Sequence, residues 1–184
     1  MNRDPARDEL LKVHNEKRAE IAKGLVKMGD GKMARPCPRM KKFVKYNCEL
    51  EAAAYATASG CKTADPNAEN ENWFKTAAAN RKDAVSKAMA AWFGEITANN
   101  AHMQQTTGSQ NLLLPQLNIT HFARMVWDTN TEMGCSVVQC KGEWHVACRY
   151  GQGVGKYGNM IYFMGPTCNQ CGGTAKCTDG AFCN

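Results

Sequence analysis

The sequence predicts a layered α+β domain, and three observations carry that reading. Apolar residues recur at helical spacing in three long stretches and one short one, the period changes to two past Trp127, and ten cysteines are spread over 184 residues. With 43% hydrophobic residues a chain of this length can bury one substantial core, so one domain with a small appendage is expected. So many cysteines, in even number, point to an oxidising compartment and to as many as five disulfides.

Asp4-Pro5 makes a good N-cap and first-turn pair, and Leu10, Leu11, His14, Ile21 and Leu25 then mark one face of a helix ending near Gly29. An irregular segment follows in which Pro36 and Pro38 flank Cys37. Much of the formal net charge of +6 gathers there, on Lys32, Arg35, Arg39, Lys41, Lys42 and Lys45, which reads either as a solvated loop or as a contact for anionic sugar or lipid. A second, alanine-rich helix over 46–59 is closed by Gly60 at a C-cap position, with Cys61 directly after it. Residues 62–72 read as a loop closed by Trp73 and Phe74. The third helix covers 83–96, where Ala88, Ala91, Trp92 and Glu95 share one face, so a carboxylate sits among apolar neighbours and needs a partner or a wet cavity. Residues 99–116 are polar and read as a surface loop. Asn118-Ile119-Thr120 is a glycosylation sequon, and Ile119, Phe122 and Val126 mark the short helix that carries His121.

Strands are expected at 134–140 and 143–151 around a Lys141-Gly142 turn, with a third at 157–164. That turn sets Cys140 against Glu143 and Cys135 against Cys148 in a non-hydrogen-bonded pair, close enough to bridge. Cys140 points to the other face and needs a partner from another layer, for which Cys61 is the natural choice; Cys37 and Cys48 are then left for each other. After Pro166 the chain is too short for a core of its own, and Cys168, Cys171, Cys177 and Cys183 read as a disulfide knot. Cys168-Asn169-Gln170-Cys171 has zinc-like spacing but no second such pair beside it. No apolar run approaches the length of a membrane span. The start Met1-Asn2-Arg3-Asp4 has no hydrophobic stretch behind it and is read as that of a mature secreted form. Nucleic acid is not an expected partner of an extracellular protein.

Several motifs stand in a telling order. His14-Asn15-Glu16-Lys17-Arg18 is similar to H-N-x-x-R, Ala68-Glu69-Asn70 to G-E-N with its glycine replaced, and Trp92-Phe93-Gly94-Glu95 to W-x-x-E. His121 to Trp127, H-F-A-R-M-V-W, is followed by Gly134-Cys135, by Val146-Ala147-Cys148-Arg149-Tyr150 and by Gly158-Asn159. Together they resemble the CAP family (cysteine-rich secretory, antigen 5 and pathogenesis-related proteins), most of all the venom allergen-like, activation-associated proteins secreted by parasitic nematodes. The resemblance implies a three-layer α-β-α sandwich with a small antiparallel sheet over residues 1–165, and a structural role for His14. It further implies a cysteine-rich, hinge-like tail over 166–184 with Cys168 bonded to Cys177 and Cys171 to Cys183.

Relatives gather two histidines and two glutamates in a central cleft. His121, Glu69 and Glu95 match, whereas the second histidine, four residues past the helix-two cysteine, falls on Asp65. As metal ligands Glu69, Glu95 and His121 lack that imidazole, so the resemblance implies no required cofactor and leaves room for a weakly held Mg2+, Ca2+ or Zn2+ or for a solvated polar cleft. With Asp65 beside it, His121 should hold its proton more firmly than a model imidazole. A hydrolase using His121 as base, serine-type or divalent-cation-dependent, is the alternative. However, Ser59, Ser86, Ser109 and Ser136 are the chain's four serines and none sits in a motif, so no enzyme is expected. The resemblance implies instead a secreted, extracellular, non-catalytic glycoprotein. It would bind a sterol or fatty acid and modulate host immunity through a host receptor, while the basic segment, on its charge alone, adds an anionic glycan as a candidate partner. Trp73, Phe74, Trp92 and Phe93 are either walls of a lipid crevice or core.

Overall fold

Caps and left-handed residues set the limits of the helices. The computed structural model describes residues 6–184, so the Asp4-Pro5 cap lies outside the described residues. Helix α1, Arg7–Ala22, buries Leu10, His14, Arg18, Ile21 and Ala22 on one face. It ends well before Gly29 because Gly24 takes φ +69°, a left-handed conformation open to glycine. Leu25 therefore leaves the apolar stripe and stands 64% exposed. Tyr46 belongs not to the second helix but to a two-residue strand, β1 (Lys45–Tyr46). Helix α2 is Cys48–Ser59, begun by Asn47, whose side chain accepts the backbone N–H groups of Glu49 and Leu50. Gly60 is its C-cap in the right-handed region, and the left-handed residue is Cys61, φ 47°. Helix α3, Arg81–Gly94, is capped by Asn80 and passes into a 3-10 turn at Glu95–Thr97. A second 3-10 turn, Pro115–Leu117, precedes α4, Thr120–Val126.

Strands β2 (Glu71–Thr76), β3 (Glu132–Cys140) and β4 (Glu143–Tyr150) complete a sheet of order β1-β3-β4-β2, in which only β1 runs parallel to its neighbour. Lys141 and Gly142, at φ 46° and 92°, form the two-residue turn whose twist suits a hairpin. Cys140 faces Glu143 and Cys135 faces Cys148, with 4.0 Å between the α-carbons of the second pair. The third antiparallel strand is not 157–164. Leu112 and Met160 form a single bridge, and Leu113 and Ile161 bond to Asn159 and Asn111, so that segment is tied to a loop and not to the sheet. The strand is β2, hidden in sequence because three consecutive residues, Glu71, Asn72 and Trp73, are all buried. The 99–116 stretch likewise sinks Met103, Asn111 and Leu113 into the interior.

Helix α2 covers one face of the sheet, and α1, α3 and α4 cover the other. Between α2 and the sheet lies a small core of Ala54, Ala58, Trp73 and Ala147; the larger core lies opposite. Short side chains let α2 ride close: a Cβ on Gly134 would stand 2.1 Å from the Glu51 nitrogen and 2.6 Å from the Asn47 carbonyl oxygen. Gly134→Ala is therefore expected to cost about 3 kcal/mol, at the upper end for overpacking, because backbone cannot swing aside as a side chain can. A urea midpoint unchanged from wild type would refute it.

The H-N-x-x-R residues act as three separate fasteners. His14 Nδ1 bonds the Leu10 carbonyl at 2.7 Å and its Nε2 accepts the Tyr150 hydroxyl at 2.9 Å. Asn15 pairs with both backbone groups of Phe43. Arg18, fully buried, donates to the carbonyls of Lys41, Met125, Trp127 and Asn130, joining α1 to both ends of the α4 exit.

Disulfides join Cys61 to Cys140, Cys135 to Cys148, Cys168 to Cys177 and Cys171 to Cys183. The expected Cys37–Cys48 bond is a correction, since both are free. Cys37 donates its N–H to Ala22 at one end of α1, and Cys48 Sγ approaches Arg7 at the other, about 22 Å apart at 1.5 Å per residue. The tail, which carries a short hairpin of β5 (Cys177–Thr178) and β6 (Phe182–Cys183), does not hang free. Gly165, Gln170 and Cys183 donate to the carbonyls of Pro36, Pro38 and Met40. Much of the basic segment serves this seam: Lys41 Nζ holds the Cys183 carbonyl at 2.7 Å, Lys42 holds Asp179 at 2.7 Å, and Arg39 turns to Asp128 at 3.1 Å.

Candidate functional site

The first turn of α4 brings His121 to Glu95, the C-cap residue of α3 and first residue of the 3-10 turn that follows it. Nδ1 of His121 lies 2.6 Å from Glu95 Oε1, and Glu95 Oε2 accepts the Phe122 N–H at 2.9 Å. At the opposite edge of the ring Nε2 lies 3.2 Å from Asp65 Oδ2, in the loop after Cys61. A carboxylate only accepts, so a ring flanked on both sides is held as the imidazolium. Burial works against that proton, but the hydrogen bond and charge of Glu95 and the bond to Asp65 outweigh it against the opposing charge of Arg124, and the pKa is raised.

Glu69 does not join this group. It is exposed, and the carboxylate near Asp65 belongs to Glu71, 2% exposed, which takes Thr57 Oγ1 and Arg149 Nε at 3.1 Å each. The reason is conformational. Asn70 takes φ 55°, so it is Asn70, and not Ala68, that fills a glycine-like position, and the motif is Asn70-Glu71-Asn72. Burial first, and then the nearby Asp65 charge, raise the Glu71 pKa against the pull of Thr57 and Arg149. Arg124, from the next turn of α4, donates to the Glu71 carbonyl and packs over Gly155, where a Cβ would stand 2.6 Å from its Cγ. Asn72 Nδ2 links the His121 carbonyl at 2.9 Å to the Tyr150 hydroxyl at 3.2 Å, and so to His14.

The donors do not converge as a metal site would require. Asp65 and Glu95 occupy opposite nitrogens of one ring. Among the described residues, the one set of three His, Cys, Asp or Glu whose donor atoms lie within 4.8 Å of one another is Cys168, Cys171 and Cys183, and their sulfurs are spent in disulfides. Of the four serines, Ser59 and Ser109 donate their hydroxyls to the carbonyls of Ala56 and Gln104, Ser136 is buried in β3 and Ser86 is exposed on α3.

The four aromatics do not form one wall either. Trp73 packs with the α2-side core while Phe74, its neighbour on β2, packs with the opposite one. Trp92 is 2% exposed, with its Nε1 on the Trp73 carbonyl at 3.2 Å, and Phe93 packs edge-on against Phe122 at 5.4 Å. Both are core. Asn118, in contrast, is exposed.

A model of the cysteine-rich secretory protein family, CAP, matches residues 11–150. The chain belongs to the CAP family. It is 33% identical to the Ancylostoma secreted protein of Ancylostoma caninum over 96% of its length, and spans 44% of that relative. It is 30% identical to hookworm platelet inhibitor 1 of the same species, covering 96% of this chain and 79% of the relative. A crystal structure of NaASP2 with Zn2+ superposes with a TM-score of 0.81 at 29% identity, over 97% of this chain and 95% of that one. Within the CAP family the chain lies close to the nematode secreted and venom allergen-like proteins, which accounts for the sandwich, the H-N-x-x-R fasteners and the stapled tail. The zinc is a property of NaASP2; in this CAP chain Asp65 and Glu95 leave His121 no free nitrogen to offer one.

Proposed function

We propose that this CAP protein is secreted, acts extracellularly without catalysis, and carries a long-chain fatty acid while acting on a host target through its exposed loops. The observation that carries the reading is a groove of about 670 Å³ between α1, the 42–44 segment and the tail. Leu11, Ala19, Phe43, Val44 and Phe182 give it an apolar floor, and its rim carries Lys12, Lys23 and Lys42 beside Asp8, Glu16 and Asp179, with Lys12 paired to Glu16 at 3.8 Å and Lys42 to Asp179 at 2.7 Å. Its volume suits a small ligand, and Lys23, for which no carboxylate partner stands among the described residues, is the rim cation that would meet an anionic head. His121 supports the non-catalytic reading: with both ring nitrogens held by carboxylates it offers no lone pair to act as a general base. The host-directed role rests on similarity to the hookworm platelet inhibitor.

Titrating a fluorescent long-chain fatty acid and zinc against wild type and two variants tests the reading. Wild type should bind the fatty acid saturably, a sterol should compete poorly, and Val44→Glu should weaken binding about tenfold by placing a charge in the apolar floor. Asp65→His should leave lipid binding unchanged and raise zinc affinity about tenfold or more, by adding an imidazole beside His121. Loss of lipid binding in Asp65→His would move the lipid to the central cleft, and no saturable binding in wild type would end the proposal.

A further inference from the structure

The basic segment divides in two. Arg39, Lys41 and Lys42 are turned inward to Asp128 and the tail, whereas Lys27, Lys32 and Arg35 remain exposed around a small hairpin that the central cleft and the lipid groove do not use. Backbone bonds from Met28 to Lys32 and from Ala34 to Val26 close this hairpin, with Lys27 opposite Met33. Its two arms alternate, and Gly31, Lys32 and Met33 are all exposed at the turn. Val26, Met28 and Ala34 point into the core at 5%, 4% and 2% exposure, and Leu25, Lys27, Met33 and Arg35 point out.

Two of the most exposed large apolar side chains, Leu25 at 64% and Met33 at 51%, share this outward face, each beside a cation. The ion-pair partner described for these three cations is Asp30, 3.7 Å from Lys32. A cleft of about 640 Å³ shares Lys32, Met33 and Arg35 with this face and is lined by Asp30 and His102 as well. Apolar tips that enter an interface and cations that meet anionic headgroups form one combination. We propose that the Leu25–Arg35 hairpin docks the protein on the surface of an anionic phospholipid bilayer. Leu25 and Met33 enter the acyl boundary, and Lys27, Lys32 and Arg35 contact the headgroups. The proposal stands independently of fatty-acid carriage, because it uses neither Val44 nor the α1 groove.

Co-sedimentation with phosphatidylcholine vesicles, with and without phosphatidylserine, decides it. The wild-type chain should sediment only with phosphatidylserine present, and less as salt rises. Lys27→Ala and Arg35→Ala should each lower the partition coefficient about fivefold, the weight of one surface cation. Leu25→Ser with Met33→Ser should lower it further at a salt concentration that already screens the charges. All four side chains are exposed, so unchanged melting curves will show that the variants fold. The proposal falls if sedimentation is absent or indifferent to phosphatidylserine, or if the variants bind as wild type does. It also falls if the chain binds heparin but no vesicle, which would make the face a glycan site.

Discussion

Arg18→Met is expected to destabilise the protein by about 4 kcal/mol or more, enough to leave a domain of ordinary stability barely folded. The side chain is fully buried and burial lowers its pKa to about 10, so it still enters the interior as a cation at neutral pH. It has no carboxylate in direct contact; five N–H bonds to four backbone carbonyls hold it, at 2.6 to 3.0 Å, with the Phe43 ring 4.3 Å below. Methionine fills comparable space and supplies no donor. Four carbonyls would be orphaned, at about 1 kcal/mol or more each. Lysine restores the charge but not the planar fork that reaches Lys41, Met125, Trp127 and Asn130 together, so Arg18→Lys should recover only part of the loss. Urea unfolding measures both; a methionine variant within about 1 kcal/mol of wild type would mean that water replaces the guanidinium.

That fastener explains why some of the fold was legible in the sequence and some was not. The hairpin register could be counted outward from Lys141-Gly142, because a two-residue turn and a period of two leave no freedom. The helices were legible from spacing, but their ends were decided by single residues in the left-handed region, Gly24 and Cys61, which spacing does not report. Strand β2 was hidden because burial on both faces erases alternation. The same blind spot moved the cleft glutamate: Ala68-Glu69-Asn70 and Asn70-Glu71-Asn72 both fit a degenerate motif, and only the φ of Asn70 separates them. A sequence signal for the second reading did exist, since asparagine is the residue that most readily replaces glycine at positive φ. Arg124 carried none, as an arginine on a short helix is as readily solvent-facing as buried. Pairing Cys37 with Cys48 by elimination assumes that every cysteine is bonded and knows nothing of the helix that separates them in space.

Acid should loosen the fold between pH 6.5 and 4 through His14. Burial, against the help of its Leu10 bond, lowers the His14 pKa to about 4, whereas in the unfolded chain it titrates near 6.5. Over that interval the unfolded state binds the extra proton, so stability present above pH 6.5 is lost as pH falls and levels off below pH 4; some 2.5 units at 1.36 kcal/mol each is about 3 kcal/mol. The geometry gives the same sign, because Nε2 must stay unprotonated to accept the Tyr150 hydroxyl. His121 acts oppositely. Its raised pKa stabilises fully below pH 6.5, and that contribution disappears as pH climbs through the folded value. Urea midpoints measured from pH 4 to 9 should therefore peak near neutrality. His14→Gln should flatten the acid side alone and His121→Gln the alkaline side alone. If His14→Gln leaves the acid slope intact, the neutral, buried histidine is not its source.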